Sequence, residues 1–488
     1  MFRHILTVLL ALSAIGAALA QDGQPNRYRV TVNADATRAH VDASVWIEGR
    51  ELVLFNVTPT AQLKNGQAEF LENIVASDAS GKPLALADKG EGEYELDGDR
   101  RVTLSYDVRL DHGNYAWPAG AEEVSYRTDE GIMATGYALF LVPSVKMHGP
   151  TEVRFALPPG WKAHTPWRAG SAPDSFIAET RRELANNALF LGTARGERQS
   201  VGGIDLTLVM GKRYWPQRAS FVELIERQLT SYQAMFGKPP LASRYLVVIN
   251  QNETGDGGAF SGSFSQFLRG DGDRATRPIW GRVVAHELLH VWNGVSMTPV
   301  DDRQEWFKEG VTDYLTVVTM ARNGIVDREY VKQFLENLGR GQMVARLGMG
   351  LKPTVEDAAR DKHKNWLLVY GGGSVAALAM DVELRKASGG KLGLPDVMKA
   401  LYAQYGVAGK RYNHDDIVRV AGRLSGQDLG PLLERIVRNG AMPDQRATFA
   451  GIGLQLEQYP MLEAFLLRDP NASPEARKRF KDIFGLAF

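Results

Sequence analysis

The 488-residue sequence contains no cysteine. That absence removes thiolate nucleophiles, iron–sulfur clusters, Cys-type zinc sites and disulfides together. A metal centre in this chain has to be built from His and carboxylate. Net charge is missing as well, because 57 Lys and Arg stand against 57 Asp and Glu. Nucleic-acid binding draws on a basic face that displaces counterions, so no nucleic-acid partner is expected. A G-x-S-x-G nucleophile elbow does not occur. Beyond the first twenty residues, no run reads as a membrane span. What remains is an ordinary globular composition, 44% apolar and 23% charged, and a length that predicts about three domains.

Met1–Ala20 carries Arg3, an apolar stretch from Ile5 to Ala17 and the small-x-small ending Ala18-Leu19-Ala20. This pattern predicts a secretory signal peptide cut before Gln21. The mature protein is expected to be exported, periplasmic or secreted, with no stable membrane insertion after cleavage. Without disulfides it must be held by its core, which is feasible at this length.

From residue 21 to 201 the apolar pattern has period two. Val102, Leu104, Tyr106, Val108 and Leu110 fall on one face, and Tyr28-Val30-Val32 and Val153-Phe155-Leu157 repeat the alternation. This predicts an N-terminal antiparallel β-sandwich. After Gly202, a strand-like Tyr245–Ile249 leads into a loop rich in Gly, Asn and Asp, and helical periodicity then dominates to Gly440. The expected fold class is multidomain α+β. A catalytic region over 202–325 is followed by a helical region over 326–446 and a tail over 447–488.

The chemistry concentrates at Ile279–Asn293, I-W-G-R-V-V-A-H-E-L-L-H-V-W-N. His286 and His290 are four apart, so on a helix they share a face and can converge on one zinc ion. Glu287 lies beside them, placed to take a proton from water. A carboxylate inside an apolar helix needs a reason, since burying it unpartnered is costly. Glu309 follows after eighteen residues, enough chain to turn back and supply a third ligand. Asp313 is four further on and can accept a hydrogen bond from the far nitrogen of a zinc-binding histidine.

H-E-L-L-H, eighteen residues, then E-G-x-x-D-Y resembles the gluzincin metallopeptidases. Tyr370-Gly-Gly-Gly, Ala379–Arg385, Asp396–Tyr402, Gly426–Leu429 and His290-Val-Trp-Asn293 resemble the glycyl aminopeptidase family in particular. The resemblance implies a β domain, a thermolysin-like catalytic domain and a helical domain closing the cleft. It implies one zinc ion on His286, His290 and Glu309, with Glu287 as general base and then acid. Asp313 would orient a zinc histidine, Asn293 would support the ligand set, and Tyr370 would donate to the oxyanion.

Two departures stand out. The family's Gly-Gly-Leu-Glu-His-like stretch, whose Glu helps hold a free amino group, corresponds to Gly257-Gly258-Ala259-Phe260-Ser261, with Phe260 where Glu is expected. Glu253 and Asp256 are the nearest acidic substitutes. The same Gly258–Phe264 edge could bind extended substrate by strand addition. The peptide-binding PDZ module of many members is not expected here, because only 32 residues follow Leu456. The expected partner is a peptide or protein substrate. Aminopeptidase and endopeptidase activity are both compatible with these residues; the rival from another class is a non-catalytic peptide-binding protein. Trp366–Ala376 also mimics a dinucleotide-binding strand–turn–helix, without an acidic residue at the spacing a ribose partner requires.

Overall fold

The period-two segments pair as strands in the computed structural model, which describes residues 22–488 except 97, 114, 116, 118–123, 252–256 and 269. The Met1–Ala20 leader, Glu253 and Asp256 lie outside the described residues. Arg100–Arg109 runs antiparallel to Arg38–Ile47 on one side and to Leu71–Asp78 on the other. Its Val102, Leu104, Tyr106 and Val108 are buried, as the alternation requires. These strands belong to an eight-stranded sheet, accompanied by two four-stranded sheets. One pair departs from the antiparallel expectation: Asn26–Val32 lies parallel to Thr151–Ala156. A parallel pair needs a long crossover, and the chain between these two strands supplies it.

A separate sheet of five strands follows, in the order Arg195–Val201, Ile204–Met210, Arg244–Gln251, Ser263–Leu268, Gly257–Ala259. The sequence reading kept Arg195–Val201 with the first region, yet this strand forms a hairpin with Ile204–Met210. Gly202 and Gly203, at φ +63° and +79°, make the turn. Such angles suit glycine because it lacks the Cβ that clashes there.

The helix Arg218–Phe236 underlies the motif helix Arg277–His290. Phe221 stacks on Trp280 with centroids 3.9 Å apart, and the Tyr232 hydroxyl donates to the Ala285 carbonyl at 2.9 Å. The motif helix is therefore clamped before its histidines begin. It ends one residue before Val291, where the chain reverses through Asn293-Gly294 toward a second helix, Val311–Arg322.

Leu367–Ala387 has the length and apolar composition of a membrane span, which the sequence reading did not credit. It is mostly buried inside the protein and serves as a core helix. The same segment is helical throughout, so the strand–turn–helix of a dinucleotide site is not formed. The tail packs back on the core. Its hairpin, Leu454–Tyr459 with Glu463–Arg468, and its helix Pro474–Phe484 send Leu456, Leu466, Phe480 and Phe484 into the cluster that holds Val284 and Leu288 of the motif helix.

Candidate metal centre and cleft

Two π-helical turns bring distant residues to the motif helix. Trp306–Gly310 carries Glu309 and runs into Val311–Arg322; Leu367–Gly372 carries Tyr370 and runs into Gly373–Ala387. The two turns cross at glycine. A Cβ on Gly310 would lie 2.4 Å from the Gly373 Cα, and one on Gly373 would lie 2.2 Å from the Trp306 carbonyl oxygen. Only bare backbone permits this approach. The Ser374 hydroxyl locks it by donating to the Gly310 carbonyl at 2.9 Å.

At the crossing, His286 Nε2 and His290 Nε2 are 3.0 Å apart, and Glu309 Oε2 is 3.3 and 3.1 Å from them. All three residues are buried. Donors held at 2.0–2.1 Å in a tetrahedron are about 3.3–3.4 Å apart, so this triangle has the size of a zinc face. The donor chemistry agrees. His290 Nδ1 donates to the Asn293 carbonyl at 2.9 Å, and His286 Nδ1 faces Asp313 Oδ1 at 3.6 Å. With the protons on Nδ1, both Nε2 lone pairs converge on a carboxylate oxygen, an arrangement that repels unless a cation joins it. The residues therefore fit a zinc ion.

The electrostatics carry the same signature. Burial disfavours a charged His286, yet Asp313 and Glu309 outweigh burial and push it up to about 10 in the metal-free chain. Burial likewise opposes the Glu309 charge, but His290, Lys362 and Lys308 hold its carboxyl well below the usual range.

Asp313 sits where the spacing predicted, and Arg282 grips it, Nε to Oδ1 at 3.0 Å. Asn293, fully buried, donates to the Phe307 carbonyl at 3.2 Å and to the Thr312 hydroxyl at 3.1 Å, tying the end of the motif helix to the turn bearing Glu309. Glu287 and Tyr370 face one cleft of about 950 Å³ together with His286 and Asp313. The Tyr370 ring lies 6.0 Å from the His286 ring. Burial first, then the Glu309 and Glu287 charges, raise its hydroxyl well above the ordinary tyrosine value, so it stays protonated as a donor.

The glycine stretch is placed differently. Gly257–Ala259 is the outer strand of the five-stranded sheet, paired with Ser263–Leu268 on one side, with no strand on the other among the described residues. Gly258 is buried and Ala259 exposed. Phe260 is buried, packs on Tyr137 at 6.0 Å and joins Met133 and Val248 in a small core between the two β regions. It is not among the residues that line the cleft.

Sequence reasoning missed three groups at the site. Arg282 precedes His286 by one helical turn, a spacing that could have flagged it. Glu305 stands in the same relation to Glu309. Lys362 had no local signal; it arrives from 53 positions away and donates to Glu309 Oε1 at 2.6 Å and to Glu305 Oε2 at 3.1 Å.

Residues 24–193 match the model of the peptidase M61 N-terminal domain, and residues 280–370 match that of the M61 glycyl aminopeptidase. The chain belongs to the M61 glycyl aminopeptidase family. No curated protein matches it. Among solved structures, this M61 chain is similar to an aminopeptidase N family protein from Idiomarina loihiensis, at 19% identity and a TM-score of 0.73, covering 89% of this chain and 79% of that one. It is also similar to a point mutant of an M1 zinc metallopeptidase from Deinococcus radiodurans, at 13% identity and a TM-score of 0.55, covering 86% and 95%. At these identities the likeness is one of fold. The family places the M61 chain among the peptidases.

Proposed function

We propose that this protein is an exported zinc metallopeptidase that hydrolyses peptide bonds with water. The observation that carries the reading is the triangle of His286, His290 and Glu309 donors at zinc spacing, with Glu287 and Tyr370 on the adjoining cleft. Bound zinc would supply a Lewis acid that lowers the pKa of water and polarises a carbonyl. Glu287 takes the proton of the attacking water and delivers it to the leaving amine. Tyr370 donates its hydroxyl proton in a hydrogen bond to the carbonyl oxygen as charge builds there. Asp313, held by Arg282, keeps the His286 ring turned toward the metal position.

The leader at Met1–Ala20 supports export, and the neutral charge favours peptide over nucleic acid as partner. Both an N-terminal and an internal cut are compatible with these catalytic groups.

Incubation with a mixed peptide library tests the reading. Cleavage should disappear when a chelator strips the metal and return on adding zinc; cleavage indifferent to the chelator overturns it. In the same assay Tyr370→Phe should keep zinc and lose roughly 100–1000-fold in kcat, the range seen when one oxyanion donor is removed. Normal turnover by that variant would remove Tyr370 from the scheme.

A further inference from the structure

The cleft beside Glu287 is walled by apolar side chains. Val283 of the motif helix, Phe334 and Leu338 of the helix Arg328–Met343, Val344 and Leu367 line it. Its polar neighbours Gln333 and Asn337 are uncharged. Two large apolar side chains at its margin, Ile279 and Trp366, are 72% and 53% exposed. Exposed apolar groups next to a catalytic site mark a surface built to cover apolar ligand.

The depth of the cleft has an identifiable cause. Gly341 lies inside a helix, where glycine is among the least favourable residues. Its φ is not positive, so nothing in the backbone calls for glycine. A Cβ there would meet only Leu367 Cδ2, at 4.0 Å, an ordinary van der Waals contact, so no close approach calls for glycine either. On the adjoining turn, which also lines the cleft, a Cβ on Gly371 would likewise meet only Gln342 Nε2, at 3.9 Å. At these two positions the wall of the cleft carries no side chain, although the backbone and the neighbours would accept one.

Charge narrows the occupant. Asp313 is neutralised by Arg282, and Arg340 at the cleft lies 3.7 Å from Glu463. A cationic side chain would meet two arginines without a free carboxylate other than the proposed base. An acidic one would have to lose its hydration among Val, Leu and Phe.

We infer that this pocket takes a large apolar side chain, aromatic or branched aliphatic, of a residue adjoining the scissile bond, and that Gly341 sets its depth. The inference rests on the peptidase reading and gives the site a substrate class opposite to the glycine in the family's description.

The test reads cleavage sites in a mixed peptide library by mass spectrometry, with free and acetylated N-termini. The wild type should place Phe, Tyr, Leu or Ile at one position beside the cut in preference to Gly or Ala. Gly341→Met, which fills the pocket, should lower kcat/KM for the large residues by roughly 10- to 100-fold relative to Ala. Zinc content should be unchanged, which separates this effect from loss of the metal site. Gly341→Ala adds one methyl in ordinary contact with Leu367 and should shift the same ratio about 3-fold, so the test survives misfolding of the larger variant. Wild-type cleavage beside Gly or Ala overturns the inference and leaves the peptidase reading standing. A large-residue preference that neither variant alters also overturns it. Absence of any cleavage by zinc-loaded wild type is the failure of the peptidase reading itself.

Discussion

Glu287→Gln should retain zinc and lower kcat by about 10²–10⁴, the range expected when a positioned general base is lost. Gln preserves the size and polarity of the side chain but cannot accept the proton. Glu287 lies one residue past His286 on the motif helix, half-buried and lining the cleft, and it has no hydrogen bond or ion pair to another described residue. A carboxylate held against an apolar helix without a protein partner is available to water. The ligand triangle does not include it, so metal content should match that of the wild type. KM should change little, because proton transfer belongs to the transition state. Steady-state kinetics beside metal analysis checks both halves. A variant with wild-type kcat would exclude Glu287 as the base.

Glu309→Gln should abolish zinc binding at ordinary metal concentrations, a loss of more than about 100-fold in affinity. Changing a group that merely supports a ligand already costs 10–100-fold, and Glu309 supplies the only negative charge in the triangle. Its surroundings enlarge the effect. Lys362 donates to Glu309 Oε1 at 2.6 Å, and Lys308 lies at 3.4 Å. With the carboxylate gone, these two ammonium groups would face a divalent cation with Glu305 alone to balance them. Zinc titration of the metal-free variant by calorimetry measures the loss. Zinc bound as tightly as in the wild type would remove Glu309 from the ligand set.

Much of the site could be read from spacing because it depends on helix geometry. His286, Glu287 and His290 share one helix, and Asp313 follows Glu309 by one helical turn, so their relative placement follows from 3.6 residues per turn. Arg282 was legible by the same rule and was overlooked. The approach of the π-helical turns was not legible, because the contact of Gly310 with Gly373 joins segments 63 positions apart and is made of backbone. Lys362 was hidden for the same reason. The burial of Phe260 was not legible either: its place was read from correspondence to the family's Gly-Gly-Leu-Glu-His-like stretch, while an aromatic side chain at the boundary of two β regions is drawn into the core with Tyr137. In the fold, alternation marked the strands of the first region but not their partners. The parallel pairing of Asn26–Val32 with Thr151–Ala156 depends on chain returning from more than a hundred residues away. The packing of the tail was not legible because its apolar residues are thinly spread; Phe480 and Phe484, four apart, form one buried helix face.

Zinc content and peptide-library cleavage, measured together on the purified wild type and on Glu287→Gln, test the central claim most directly. About one zinc ion per chain on both proteins, with cleavage by the wild type and little by the variant, is the predicted result. A wild type that binds zinc, cuts no peptide and behaves like the variant would contradict the peptidase reading and favour a peptide-binding role on the same fold.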